Sequence, residues 1–211
     1  MNQRMRHQIT TIVAMFAEYP ATELVYTTPF QCLLAVLLSA QTTDKQVNKV
    51  TATFFATIKH PVDLRDRSID DIRIAISGVN YANSKAKHMY QTAHLLYDQY
   101  DGVIPDRLEA LITLPGVGIK TAKVVLQLLY GQAYIAVDTH VHRVAHRLGR
   151  VKDLTHEQTS TALEKKVSKD LIDDFHKSVI YFGRYHCTAR NPKCASCPLQ
   201  KVCKWWRKNS L

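Results

Sequence analysis

No aspartate or glutamate follows Asp174, yet the stretch 175–211 still holds Lys177, Arg184, Arg190, Lys193, Lys201, Lys204, Arg207 and Lys208. Of 28 basic and 18 acidic residues, Met1–Asp174 keeps 20 and 18, a balance of +2, so most of the net +10 belongs to the tail. An excess of this sign calls for a polyanionic partner, nucleic acid or an anionic membrane. Glycine and proline, seven of each, are too scarce for a collagenous or low-complexity chain. No apolar run is longer than Cys32–Leu38, far short of the ~20 residues of a membrane-spanning helix. Arg4 and Arg6 precede Ile9–Ala17 as in a secretory leader, but Thr10 and Thr11 interrupt that stretch and no Ala-x-Ala site follows. Ile9, Ile12, Val13 and Phe16 instead fall at helical spacing, which predicts an amphipathic helix. Outside Cys187–Cys203 the only cysteine is Cys32, in an apolar run that suits a buried core thiol. An odd count with one tight cluster fits an intracellular metal site better than a disulfide framework.

Sustained period-2 alternation is also missing, so the expected fold class is all-α. Val47, Val50, Phe54 and Ile58 recur at helical steps, as do Ala86, Met89, Tyr90, Ala93 and Tyr97, and Ile172, Phe175, Val179 and Phe182. Phe30–Leu38 is apolar nearly all round and predicts a buried central helix. Pro20, Pro29, Pro61, Gly78, Gly102–Pro105, Pro115–Gly118, Gly131 and Gly149 punctuate these segments. There is no internal repeat and no Ser/Gly linker, so two domains, if present, pack closely.

The stretch Leu114-Pro115-Gly116-Val117-Gly118-Ile119-Lys120-Thr121-Ala122 ends one helical pattern and starts another. Two glycines two apart permit a sharp turn with exposed backbone amides just before a helix N-terminus. Unpaired N–H groups and the helix dipole favour a phosphate there, as in a helix-hairpin-helix unit gripping a DNA backbone without reading bases. A plain helical corner has the same composition. A Walker A loop is excluded by spacing. Lys120 falls in the first turn, where the positive end of the dipole disfavours a cation and favours a neutral, nucleophilic amine; the bland alternative is a phosphate-contacting or solvated lysine.

Ile135–Val137 is a short extended apolar piece, and Asp138 is suited to N-cap a helix over Thr139–Leu148. On one straight helix Lys120 and Asp138 would lie ~27 Å apart; a stop near Gly131 and a chain reversal would let the two helix starts face one cleft. His142 and His146 share a helix face while His140 points elsewhere, so surface or phosphate-facing histidines are expected rather than a metal site. The most specific signal is Cys187-x₆-Cys194-x₂-Cys197-x₅-Cys203. Four thiolates at this spacing can wrap tetrahedral zinc or a cubane iron–sulfur cluster, and a single Cys-x₂-Cys pair leans towards the latter.

Leu114–Ala122, Val137-Asp138-Thr139-His140, the cysteine run, Leu37–Asp44 and Asn83-Ser84-Lys85-Ala86 together resemble the endonuclease III family of DNA glycosylases with AP-lyase activity. The resemblance covers essentially the whole chain. It implies a helix-hairpin-helix glycosylase fold, with a six-helix domain over Thr22–Gln132 and the hairpin at about 108–127. A second helical domain would be made of Met1–Ala21 and Ala133–Leu211, with the Lys120–Asp138 cleft at the junction. It implies a [4Fe–4S] cluster on Cys187, Cys194, Cys197 and Cys203, which, at about −2 with its thiolates, lowers the working charge to nearer +8. It implies a monomer acting on double-stranded DNA with damaged pyrimidines or abasic sites, the damaged nucleotide being flipped out. Lys120 would attack C1′, displace the base and form a Schiff base that undergoes β-elimination. Asp138 would aid that attack or stabilise charge on the sugar. Gln41 would fill the gap left by the flipped nucleotide. The cluster would hold a loop whose Lys193 reaches phosphate, and Gly116, Val117, Gly118, Thr121 and His140 would also contact DNA. Three positions depart from the family pattern: Asn80-Tyr81 replaces a glycine and a bulky apolar residue, with Tyr81 as the wedge between bases; Ile119 replaces a common arginine; Lys123 replaces a common asparagine. Two rival readings remain: an adenine-removing relative of the same fold, and a non-enzymatic DNA-binding module with structural zinc.

Overall fold

The computed structural model describes residues 1–209, and among these there is no β-strand. The chain divides into two compact units, Thr22–Gln132 and Met1–Ala21 with Ala133–Leu211; residues 210 and 211 lie outside those described. The first helix, α1 (Gln3–Met15), belongs to the discontinuous unit and carries the amphipathic spacing seen in the sequence, with Ile9 and Ile12 buried.

The continuous unit is built around α2 (Pro29–Ser39). Thr28 caps it and Pro29 occupies its first turn, where a missing N–H does no harm. Every residue from Phe30 to Leu38 is buried, and α3 (Asp44–Thr57), α6 (Ala82–Tyr100) and α8 (Ile119–Tyr130) pack against it. Cys32 is fully buried there, and burial pushes its thiol pKa up to about 12, which suits an inert core group. Single turns α4 (Val62–Arg65) and α7 (Leu108–Leu111), with α5 (Ile69–Ala75), complete the helical segments of this unit among the described residues. On α6 the buried stripe is Ala86, Met89, Ala93 and Leu96. Tyr97 continues the spacing but is exposed, with the Arg65 guanidinium 4.4 Å over its ring.

The discontinuous unit adds α9 (Thr139–Arg147), α10 (His156–Lys166), α11 (Ile172–Tyr181) and α12 (Lys204–Asn209). Its core joins Ile9, Ile12 and Phe16 of the N-terminal segment to Val141, Val144, Phe175, Val179 and Phe182. Burial of a side chain the size of Phe182 is worth roughly 2–3 kcal/mol. The N-terminal segment is thus held by the C-terminal half through apolar burial. After α11 the helix widens into a π turn, Phe182–His186, whose last bond runs from the Cys187 N–H to the Phe182 carbonyl at 2.6 Å. No helix among the described residues is long and apolar enough to cross a membrane.

Candidate DNA-binding and iron–sulfur sites

In the continuous unit, α7 leads through Thr113–Gly118 into α8. Gly116 has φ +78, and a Cβ there would lie 2.6 Å from the His88 imidazole, so both backbone sign and space demand glycine. Gly118 is the exposed N-cap of α8; no side chain caps it, and a Cβ added there would meet nothing within 4 Å. The amides at the start of α8 are therefore presented outward with the dipole behind them. Lys120 is exposed in that first turn and Thr121 is half-buried. Val117 departs from the expectation of a DNA contact. Its side chain is buried and its N–H already donates to the Leu114 carbonyl at 3.0 Å, so it shapes the turn instead of facing a ligand. Gly116→Ala should lower stability by about 1–2 kcal/mol and weaken duplex binding at least tenfold, read by thermal melting and fluorescence anisotropy. A variant that binds as well as the parent would remove the turn from the interface.

Gln41 and Tyr81, in the same unit, are both exposed and both left-handed, with φ of 57 and 60. Only a few per cent of non-glycine residues take this conformation, and they cluster at functional sites. Of the two neighbours of Lys120 that depart from the family pattern, Ile119 is exposed and Lys123 is buried.

In the discontinuous unit, Asp138 is the N-cap of α9, and its Oδ1 accepts the Val141 N–H at 2.8 Å. The buried strap Ile135–Val137 leads into it, fixed by the Ser160 hydroxyl donating to the Ile135 carbonyl at 2.7 Å. His140 lies in the first turn of α9, its Nδ1 3.3 Å from Arg143 Nη2. Burial lowers its pKa, only partly opposed by Asp138, so the imidazole is neutral near pH 7. Gly183 of the π turn packs so closely that a Cβ there would meet His140 Cβ at 2.8 Å. His142 stacks between His146 and His156, at 4.8 and 4.3 Å between ring centroids, and no group of three or more His, Cys, Asp or Glu among the described residues is placed to hold a metal ion.

The four clustered cysteines are unpaired by disulfide and line one cavity with Arg147, Phe182, Lys193 and Trp205. All four line the same space, the arrangement that a polynuclear cluster on four thiolates needs. Burial pushes the Cys194 and Cys197 thiols up, so coordination is what will hold them as thiolates. The positive partner for an anionic cluster is Arg147, whose Nη1 is 3.4 Å from Cys187 Sγ. Arg147 also donates to the Thr188 and Ala189 carbonyls at 2.6 and 2.9 Å, and its guanidinium lies 4.8 Å from the Trp205 ring centroid. Arg143 adds bonds to the Cys187 and Gly183 carbonyls at 3.1 and 2.8 Å. Neither arginine stood out in the sequence; their i,i+4 spacing on the helix begun by Asp138 is the signal that could have found them. Lys193 is exposed at the edge of this loop.

Residues 34–169 match the HhH-GPD superfamily of base excision DNA repair proteins, and residues 187–203 match the iron–sulfur binding domain of endonuclease III. The chain is 38% identical over 208 residues to endonuclease III of Escherichia coli strain K12, covering 99% of each chain. It is 42% identical over 184 residues to endonuclease III of Bacillus subtilis strain 168, covering 86% of this chain and 84% of that one. A solved structure of endonuclease III trapped as a covalent intermediate with DNA superposes with a TM-score of 0.93 at 37% identity, over the whole of both chains. The extent and identity of these matches place the adenine-removing and zinc-module readings behind one family: the chain belongs to the endonuclease III family, within the HhH-GPD superfamily of base excision DNA repair proteins.

Proposed function

We propose that this chain removes oxidised pyrimidines from double-stranded DNA and cuts the strand at the resulting abasic site through a Schiff base on Lys120. The observation that carries the reading is an exposed lysine in the first turn of α8, directly after an uncapped glycine turn that can receive a phosphate. A similar protein has been captured in covalent linkage with DNA.

The target nucleotide leaves the stack, because its sugar carbon cannot be reached inside the duplex. The Lys120 amine forms a bond to C1′ as the bond from C1′ to the base breaks and the base departs. Ring opening leaves an imine between Lys120 and C1′. Loss of a C2′ proton then expels the 3′ phosphate, and water releases the lysine. Asp138, held by the Val141 amide, stabilises positive charge on the sugar or helps Lys120 shed its proton. Gln41 occupies the vacated space and Tyr81 wedges beside it, while Gly116, Gly118, Thr121, His140 and Lys193 grip the backbone. The chain carries a [4Fe–4S] cluster, for which Cys187, Cys194, Cys197 and Cys203 are the ligands we assign; when bound it supplies a rigid anchor for the loop bearing Lys193.

Borohydride trapping on a panel of single-lesion duplexes tests the reading. Covalent complexes are expected with abasic and oxidised-pyrimidine DNA and not with undamaged DNA. Removal of adenine from a mismatch without any trapped complex would favour the rival chemistry.

A further inference from the structure

Lys85 on α6 is 6% exposed and buried without a carboxylate among its hydrogen-bond acceptors. Its ammonium donates to the Leu38 and Ala40 carbonyls at 2.8 and 2.7 Å and is 3.3 Å from Thr42 Oγ1. These acceptors stand at the C-terminal end of α2, where carbonyls lack helical partners and the dipole is negative. The lysine therefore cements the turn that carries Gln41. That turn has a second attachment. The Asn80 N–H donates to Thr42 Oγ1 at 3.2 Å, and the Asn80 side-chain amide donates to the Gln41 carbonyl. Asn80 is itself next to Tyr81, whose carbonyl accepts the Lys85 N–H at 3.0 Å. Behind it, Gln46 of α3 donates to the Gly78 carbonyl at 2.9 Å. Gln41 and Tyr81, two exposed side chains on left-handed backbone, are thus linked through Asn80, while Lys85 holds the Gln41 turn with its ammonium and the Tyr81 carbonyl with its backbone N–H.

We propose that Asn80 and Lys85 are positioning residues that clasp Gln41 and Tyr81 into a single preformed two-pronged wedge for duplex DNA. This rests on the reading that Gln41 and Tyr81 enter the duplex. Left-handed backbone at a non-glycine residue persists only where surrounding bonds over-determine it, and the clasp supplies those bonds. Preforming the pair removes ordering entropy from the moment of insertion. A glycine at position 80 keeps the backbone bond to Thr42 but loses the amide bond to Gln41, so the two prongs would move independently. The departure from the family pattern at Asn80 then has a physical role: it couples the gap-filling residue to the wedge.

The test compares duplex and single-stranded abasic DNA, since a wedge is needed only where there is a stack to enter. Asn80 is exposed, so Asn80→Gly should melt close to the parent protein. It should slow insertion about three- to tenfold, read by 2-aminopurine fluorescence opposite the lesion. KM on duplex should rise by a similar factor, while kcat on single-stranded abasic DNA is unchanged. Lys85→Met should show the same split more strongly; if it fails to fold, Asn80→Gly alone decides. Gln41→Ala and Tyr81→Ala are run beside them. If those two slow insertion and Asn80→Gly does not, the clasp is wrong and the wedge stands. If neither slows insertion, the wedge reading fails and the clasp falls with it. Equal loss on single-stranded and duplex substrates would mark the effect as general destabilisation and would also overturn the proposal.

Discussion

Lys120→Ala is expected to abolish borohydride trapping on abasic duplex DNA and to leave duplex affinity within about tenfold of the parent. The reasoning separates two functions that meet in one turn of α8. In the proposed reading, grip on the phosphate comes from backbone amides after Gly118, which no side-chain substitution removes. In the same reading, nucleophilic attack comes from the Lys120 amine, which alanine cannot replace. Because Lys120 is exposed and alanine is the better helix former, stability should stay within about 0.5 kcal/mol. Asp138→Asn is expected to give the complementary result. The asparagine oxygen can still accept the Val141 N–H, so the cap survives while the charge is lost. Base release should fall by about 10²–10³-fold, the usual scale for one electrostatic group at a developing charge, and the melting temperature should hardly move. A trapped complex that persists in Lys120→Ala would transfer the nucleophile's role to another amine.

Removal of the cluster is expected to be nearly as damaging, for a reason of folding rather than chemistry. From Arg184 to Asn209 only Leu199 is buried among the described residues. A loop with one buried side chain gains too little from apolar burial to offset the entropy of ordering it. Metal coordination supplies that deficit; structural metal centres contribute on the order of 10 kcal/mol. Joint replacement of Cys194 and Cys197 by alanine should therefore abolish iron and sulfide content and unfold the loop. It should reduce duplex affinity at least about tenfold through loss of the ordered basic tail. Cys32→Ser is the control, because that thiol is buried in α2 of the other unit and should leave the iron untouched. Iron and sulfide analysis of anaerobically purified protein reads the result. Zinc without iron in the parent, or a full cluster in the double variant, would overturn the assignment.

Much of the site was legible because it is written locally. A helix cap is a matter of one residue and its next few neighbours, so Asp138 and the start of α9 could be read from Val137-Asp138-Thr139. The glycine turn and the position of Lys120 follow from Pro115-Gly116-Val117-Gly118, and the cysteine run carries its own spacing. Val117 shows the limit of that local reading. The sequence placed it in the turn but could not say that its amide was already spent on Leu114. Arg147 was missed because its partners, Cys187, Thr188 and Ala189, lie some forty residues away. His156 joining His142 in a stack belongs to the same class.

By itself, then, the sequence determined helix content, the caps and turns that start the functional helices, the four-thiol run and the concentration of positive charge after Asp174. The caps and turns depend on residues within a turn or two of one another, where backbone geometry leaves few choices, and the thiol run and the charge bias are read directly from the order of residues. Only the tertiary structure decided that Arg143 and Arg147 reach back to the cysteine loop, that Lys85 serves the carbonyls at the end of α2, and that Asn80 ties Gln41 to Tyr81. Those pairings join segments that are distant in the chain, and they form because a buried donor must find an acceptor wherever packing brings one within reach.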